Sequence, residues 1–192
     1  DPLRMMRAAR FAAQLNLDVS DDSLKAMHEM AERINIISAE RVRDEFTKLL
    51  MSDNPRKGIA ILVATGLADL VIPEIPKLQL EVDEHHHHKD VYEHSLTVLD
   101  QAIALEHRLG GKNLVNRLAA LLHDIGKPKT RALIPGGGVS FHHHEVVGAR
   151  LAKDRLKKLR FSNEIIDEVE TLIALHLRFH GYGDGSLQFD QI

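Results

Sequence analysis

Cysteine and tryptophan are absent from this 192-residue chain, and aromatic residues make up only 4% of it. Without cysteine there is no disulfide, no thiolate zinc site and no thiol nucleophile, and the composition agrees with a reducing cytosolic setting. Any metal must be held by histidine and carboxylate. The scarcity of aromatics argues against a platform that stacks the bases of single-stranded RNA. Long hydrophobic runs are missing too, because charge breaks each apolar stretch within a few turns. Neither a signal peptide nor a bilayer-spanning segment is legible, and the chain is expected to be soluble and cytoplasmic, with no membrane partner. A formal net charge of -3 gives no global drive toward nucleic acid. Basic residues gather only locally, from Arg150 to Arg160, where such a run is more often a solvated helix face than a phosphate track.

Apolar residues are plentiful, at 44% of the chain, enough to bury the core of one large domain or two small ones. They recur at helical rather than strand spacing, so the expected class is all-α. The first helix carries Leu3, Met6 and Phe11 against a basic stripe of Arg7 and Arg10. Ser20-Asp21-Asp22 caps a second, and Ser38 opens a third that Asn54-Pro55 ends. Short helices follow over 58–64 and 67–72, separated by Gly66. Pro73 and Pro76 mark a break, which places a domain boundary near residue 78 and divides the chain into 1–78 and 79–192. The run His85-His86-His87-His88 reads as a native loop. A helix from Asp90 carries His94, and the next, from Leu114, ends at His123-Asp124, stopped by Gly126 and Pro128. Residues 135–138 form a flexible loop or a tight hairpin, and two final helices span about His144 to Leu159 and Asn163 to Arg178.

Thirteen histidines stand out in this composition. His94, His123, His144 and His176, with Asp124, lie on separate helical segments and are hard to explain as surface decoration. Imidazole and carboxylate suit borderline divalent metals, and such metals make water nucleophilic near neutral pH, which is hydrolase chemistry. His28 and His107 read instead as structural residues. Asp124 ends an apolar helix, where an unpaired carboxylate is costly to bury and demands a cation. A metal is one candidate. A salt bridge from Lys127 or Arg131 is the other.

The spacing His94, His123-Asp124, His144 and His176, with Leu121-Leu122-His123-Asp124-Ile125-Gly126-Lys127, resembles the HD-domain superfamily of metal-dependent phosphohydrolases. The resemblance implies that His94, His123 and Asp124 bind one divalent ion and that Asp124, His144 and His176 support a second, the ion being Mg, Mn, Ni, Co, Zn or Fe. Asp124 and Lys127 would carry the catalysis, with Lys127 steadying a substrate phosphate as a point charge. In that superfamily a later aspartate usually completes the first site. Asp184 and Asp190, in a Gly-rich tail, are the substitutes available here, so the HD domain is expected to be C-terminally incomplete.

The first half resembles a second family. Asp1-Pro2-Leu3-Arg4-Met5-Met6-Arg7-Ala8-Ala9-Arg10-Phe11 is similar to the neck motif of bacterial CCA-adding tRNA nucleotidyltransferases and poly(A) polymerases. Glu40-Arg41-Val42-Arg43-Asp44-Glu45 is similar to a body motif that braces the neck helix. By that resemblance Asp1 and Arg4 pair with the base edge of CTP or ATP, which only the family's head domain would deliver, and no Gly-rich nucleotide loop or paired metal-binding aspartates of that head occur in the sequence. The implied fold is a helical neck and body followed by an HD-type bundle. The implied protein is the C-terminal fragment of a CCA-adding enzyme or poly(A) polymerase that hydrolyses phosphate esters but adds no nucleotide by itself. Its implied partners are the tRNA or RNA 3' end and a phosphate-ester or nucleotide substrate. Two alternatives stay open. One is a tRNA-binding scaffold, using Arg7, Arg10, Lys153, Lys157 and Lys158, with a structural or vestigial ion. The other is a stand-alone HD nucleotide phosphohydrolase.

Overall fold

The fold is known from a computed structural model that describes residues 1–80, 90–135 and 138–179. The His85–His88 run, Asp184 and Asp190 lie outside the described residues. Helices dominate, as the apolar spacing predicts. The first half holds α1 (Leu3–Leu15), α2 (Asp21–Met30), α3 (Ala39–Leu50), α4 (Pro55–Ala64) and α5 (Leu67–Val71). The second holds α6 (Val91–Ala104), α7 (Leu114–Leu122), the short α8 (Lys127–Thr130), α9 (His144–Lys158) and α10 (Asn163–Leu175). Short stretches of 3-10 helix come after α2, α6 and α10, and another spans Pro76–Leu80.

Local chemistry sets the ends of these helices. Ser20 Oγ accepts from the Ser23 amide at 3.4 Å, Asp90 Oδ1 from Tyr92 at 3.0 Å and Asn113 Oδ1 from Asn116 at 2.8 Å. Each satisfies an amide that the first helical turn leaves without a backbone partner. One expectation is corrected. Asn54-Pro55 does not end the third helix, which stops at Leu50, and Pro55 instead begins the fourth. Proline at a helix start loses nothing, because the amide it lacks has no intrahelical acceptor there. The last helix is also shorter than expected: α10 stops at Leu175, and His176 to Phe179 form a tighter 3-10 turn. On either side of the 135–138 segment, whose residues 136 and 137 lie outside the described residues, β1 (Ala132–Leu133) runs antiparallel to β2 (Val139–Ser140), with Leu133 opposite Val139.

Helix α1 packs on α3 and α4, while α9 packs along α10, which in turn meets α7, and α7 meets α6. The two groups join where α3 touches α7 and α4 touches α6. One apolar cluster runs through both groups, from Leu3, Met6, Phe46 and Leu49 to Leu99, Leu118, Leu122, Leu156 and Ile173. Burying a side chain of this kind contributes about 1.5–3 kcal/mol.

Charges also cross the joint. Arg117, fully buried, forks onto Glu106 with Nε–Oε1 2.6 Å and Nη2–Oε2 2.7 Å. Its Nη1 donates to the carbonyls of Leu50 and Ser52, both at 2.7 Å, at the end of α3. Arg56 of α4 reaches Glu93 at 2.9 Å and Asp100 at 2.7 Å on α6, and Arg155 forks onto Glu74 at 2.9–3.1 Å. No helix among the described residues is long and apolar enough to cross a membrane.

Candidate metal centre

Four helices deliver the candidate ligands. His94 sits in the first turn of α6, His123 is the residue that closes α7, His144 opens α9, and His176 closes α10. Asp124 comes directly after α7, 2% exposed, in the turn that leads into α8. The partial negative charge at the carboxyl ends of α7 and α10 favours a cation there, while the amino end of α9 opposes it.

The carboxylate of Asp124 has two distinct sides. Oδ1 lies 3.2 Å from His144 Nε2 and 3.9 Å from His176 Nε2. Oδ2 lies 3.1 Å from His123 Nε2, 3.0 Å from Lys127 Nζ and 3.7 Å from His94 Nε2. His94, His123 and Asp124 therefore form one group with metal-binding spacing, and Asp124, His144 and His176 form a second. All five residues that the sequence nominates are brought together, and the expected Lys127 salt bridge is present as well.

Tautomers can be assigned from the backbone. His123 Nδ1 lies 2.9 Å from the Ala120 carbonyl, His144 Nδ1 2.8 Å from that of Phe141, and His176 Nδ1 2.7 Å from that of Ile173. A carbonyl only accepts, so each Nδ1 carries the proton and each Nε2 of a neutral ring presents a lone pair. Such outer hydrogen bonds hold ligating histidines in orientation and raise their basicity. The Nε2 atoms of His144 and His176 stand 3.3 Å apart. Two facing lone pairs at that distance repel, and a shared cation would relieve the repulsion. A proton is disfavoured at neutral pH, since burial pushes the His176 imidazole down to about 4 against the opposing pull of the Ile173 carbonyl.

Asp124 fits the same reading. Burial acts to raise its carboxyl, but the neighbouring His123, His144 and Lys127 outweigh it and hold the group well below the usual carboxylate range. The group is an anion at neutral pH. Its Oδ2 nevertheless has no hydrogen bond of proper geometry among the described residues, although His123 and Lys127 are near in distance. A buried anionic oxygen, converging imidazole nitrogens and a fixed tautomer form a donor set that suits a divalent metal.

Close packing places these groups. A Cβ built on Gly126 would come 2.1 Å from the His144 carbonyl oxygen and 2.7 Å from the Gly148 nitrogen. The turn after Asp124 thus lies directly on the first turns of α9, and the absence of a side chain at Gly126 brings His144 up to Asp124. Sequence reasoning named Gly126 only as a helix stop and missed its packing role, Gly148, the carbonyl tethers and Arg117. The spacing of His144 and Gly148, one helical turn apart, and a lone arginine inside the apolar helix α7 were the available signals.

Other nominated residues lie elsewhere. Asp1 Oδ1 accepts from the Leu3 amide at 3.1 Å, and its Oδ2 lies 3.3 Å from Arg41 Nη2, while Arg4 is exposed on α1. Glu45, 5% exposed, takes Arg10 Nε at 2.7 Å and Arg7 Nε at 3.5 Å. Arg41 and Glu45 of the body motif thus touch the neck helix. Lys153 pairs with Glu170 at 2.6 Å, whereas Lys157 and Lys158 are exposed near the end of α9. His28 and His107 lie against the carbonyls of Thr65 and Ala104, at 3.3 and 2.9 Å, as structural histidines do.

Comparison with known proteins agrees with both halves. Residues 91–188 match the HD domain, and residues 16–78 match the family described as "Probable RNA and SrmB- binding site of polymerase A". The chain is 37% identical over 183 residues to the A-adding tRNA nucleotidyltransferase of Deinococcus radiodurans, covering 92% of this chain and 42% of the relative. It is 33% identical over 188 residues to a multifunctional CCA protein of Neisseria meningitidis, covering 95% and 43%. Against the CC-adding tRNA nucleotidyltransferase of Thermus thermophilus it is 33% identical over 186 residues, covering 92% and 42%. The chain thus spans less than half the length of the curated relatives it matches. It belongs to the HD-domain family and carries that domain behind a region that matches the polymerase A binding-site family.

Proposed function

We propose that this chain works as part of a tRNA nucleotidyltransferase-type protein, with an RNA-facing region up to about residue 78 and an HD centre that hydrolyses phosphate esters beyond it. The observation that carries the hydrolase reading is the pair of ligand groups sharing Asp124, with Nδ1 tethers that aim three Nε2 lone pairs inward. His94, His123, Asp124, His144 and His176 are the residues that would hold the metal, drawn from Mg, Mn, Ni, Co, Zn and Fe. When bound, a divalent ion supplies Lewis acidity toward a phosphoryl oxygen and lowers the pKa of water.

The chain's own residues supply the rest. Asp124 holds the anionic charge that collects cations, and its burial keeps bulk water from competing for it. Lys127 sets a fixed positive charge beside it for an incoming phosphate. The substrate class is a small phosphate ester such as a 2',3'-cyclic phosphate, a 2'-nucleotide or an RNA end. In the first half Arg4, exposed on α1, offers guanidinium donors suited to the base edge of CTP or ATP, with Asp1 just ahead of the same helix. Arg7 and Arg10 direct their guanidinium groups to Glu45, so RNA phosphates fall to the exposed Lys157 and Lys158 more readily than to them.

The test is hydrolysis of bis-p-nitrophenyl phosphate and 2',3'-cyclic AMP by protein purified without an immobilised-metal column, since the His85–His88 run loads such metals artificially. Hydrolysis is expected to vanish with chelator and return with added ion. Asp124→Asn is expected to lower it to the chelated background while circular dichroism shows retained helix. Full activity in a folded Asp124→Asn protein would sink the proposal.

A further inference from the structure

We infer that the crevice between α3 and the start of α10 holds one unpaired nucleotide of a bound RNA, its base on the apolar lining and its phosphate at Lys48. The inference rests on the RNA-facing reading of the first half and names where that RNA crosses onto the second. The crevice encloses about 400 Å³, within the range of about 300–1,000 Å³ usual for ligand pockets. Its walls come from both halves of the chain. Thr47 and Lys48 belong to α3, inside the region that matches the polymerase A binding-site family, while Leu114 opens α7 and Phe161 and Ile165 flank the start of α10.

The lining carries two kinds of chemistry. Leu114, Phe161 and Ile165 supply an apolar surface that suits the flat face of a base. The rest suits a phosphate. Lys48 is exposed in the lining and makes no ion pair among the described residues. Helices α7 and α10 both begin at the crevice, so the partial positive charge of two amino ends adds to that of the lysine. The acid in the lining, Asp44, is already neutralised, because its Oδ1 accepts Arg43 Nε at 3.0 Å and Nη2 at 2.8 Å. Arg43 also fixes the walls: its Nη1 donates to the Arg160 carbonyl at 2.5 Å, tying α3 to the turn between α9 and α10. Just before Arg160, Lys157 and Lys158 are exposed in the last turn of α9 and carry positive charge past the crevice. A free nucleotide has no use for that extension, whereas the further phosphates of a strand do. One base in one crevice also agrees with a chain too poor in aromatics to build a stacking platform.

The test uses the full chain and a tRNA transcript in which 4-thiouridine replaces uridine. Ultraviolet crosslinking, followed by mass spectrometry of the peptides, is expected to place uridine on residues 43–48 or 161–165. Thr47→Trp, which fills the crevice, is expected to weaken RNA binding about tenfold or more, as loss of a central contact does. Lys48→Gln is expected to lower the slope of log affinity against log salt by about 1, the mark of a single lost phosphate contact. Lys48 is exposed, so this variant carries the test should Thr47→Trp fail to fold. RNA that binds the wild type but crosslinks only elsewhere, or that binds the folded variants with unchanged affinity and slope, would overturn the inference. So would uridine monophosphate bound in the crevice as tightly as the RNA, which would mark a site for free nucleotides. No RNA binding by the wild type would remove the RNA-facing reading and this inference with it.

Discussion

Replacing Arg117 with methionine is expected to lower the stability of the fold by about 3–5 kcal/mol, the usual cost of stripping one partner from a buried ion pair. The side chain is 1% exposed and reaches four acceptors at once: both oxygens of Glu106 and the carbonyls of Leu50 and Ser52. Its removal leaves a buried carboxylate without a cation and two carbonyls at the end of α3 without a donor. Glu106 retains the Asn113 amide at 3.0 Å, which replaces none of the lost charge. For a chain of this length each kcal/mol moves the melting temperature by about 2–4 °C, so thermal unfolding should shift by roughly 6–20 °C. Acid closes this gap. Hydrogen bonding to Arg117 holds the Glu106 carboxyl below its ordinary value of 4.5. A carboxyl depressed by folding adds its stability above the unfolded value and loses it as the pH falls below that value. Wild type and Arg117→Met should therefore converge as the pH drops below 4.5. A methionine variant melting within a degree or two of the wild type at neutral pH would show that the fork does not hold the joint.

Gly126→Ala is expected to damage stability and metal retention together. The new methyl group would overlap the His144 carbonyl oxygen and the Gly148 nitrogen, both backbone atoms that cannot swing aside. Helix α9 must back away, and overpacking of this kind costs about 1–3 kcal/mol, occasionally more. The functional damage comes from the ligand on α9. His144 Nε2 stands 3.2 Å from Asp124 Oδ1, and a retreat of its helix opens that separation while leaving His94 and His123 in place. Loss of ligand positioning typically lowers metal affinity about 10–100-fold. Chelator competition and denaturant unfolding on the same preparation would measure both effects. Gly148→Ala is the milder control, since its Cβ would meet the Gly126 nitrogen at 3.3 Å and the His123 carbonyl at 3.4 Å. Equal behaviour of the two alanine variants would mean that the Gly126 contact does not set the ligand distance.

The cluster of histidines around Asp124 was legible in the sequence because chemistry constrains such residues sharply. Histidines on separate helices and an aspartate ending an apolar run have few other uses, and helical spacing was enough to put His94 near the start of one helix and His123-Asp124 at the end of another. The helix start marked by Ser20 comes from a side-chain oxygen of fixed reach, as does the cap that Asn113 supplies to α7 without having been singled out in the sequence. The proline at position 55 misled because Asn-Pro can close the helix before it or open the helix after it, and only tertiary packing shows how far upstream α3 has already stopped. The carbonyl tethers were hidden for another reason. Any helical histidine has a carbonyl three residues back, and whether Nδ1 uses it depends on what attracts Nε2. Arg117 was invisible as a hub because its acceptors, Glu106 and the carbonyls of Leu50 and Ser52, come from two separate stretches of chain.

Having one carboxylate serve two groups of histidines gives the centre a particular evolutionary grain. Drift at His94 touches one group and drift at His176 the other, so either histidine can be lost while the opposite group keeps its full set. Asp124 offers no such halfway form. Any descendant that changes it abandons both groups in a single step, and selection for a different ion on one side must work through an oxygen donor that the other side also depends on. A lineage relinquishing the chemistry would therefore be expected to carry histidine losses of many patterns but only one pattern of aspartate loss, in which the whole cluster has been released from constraint.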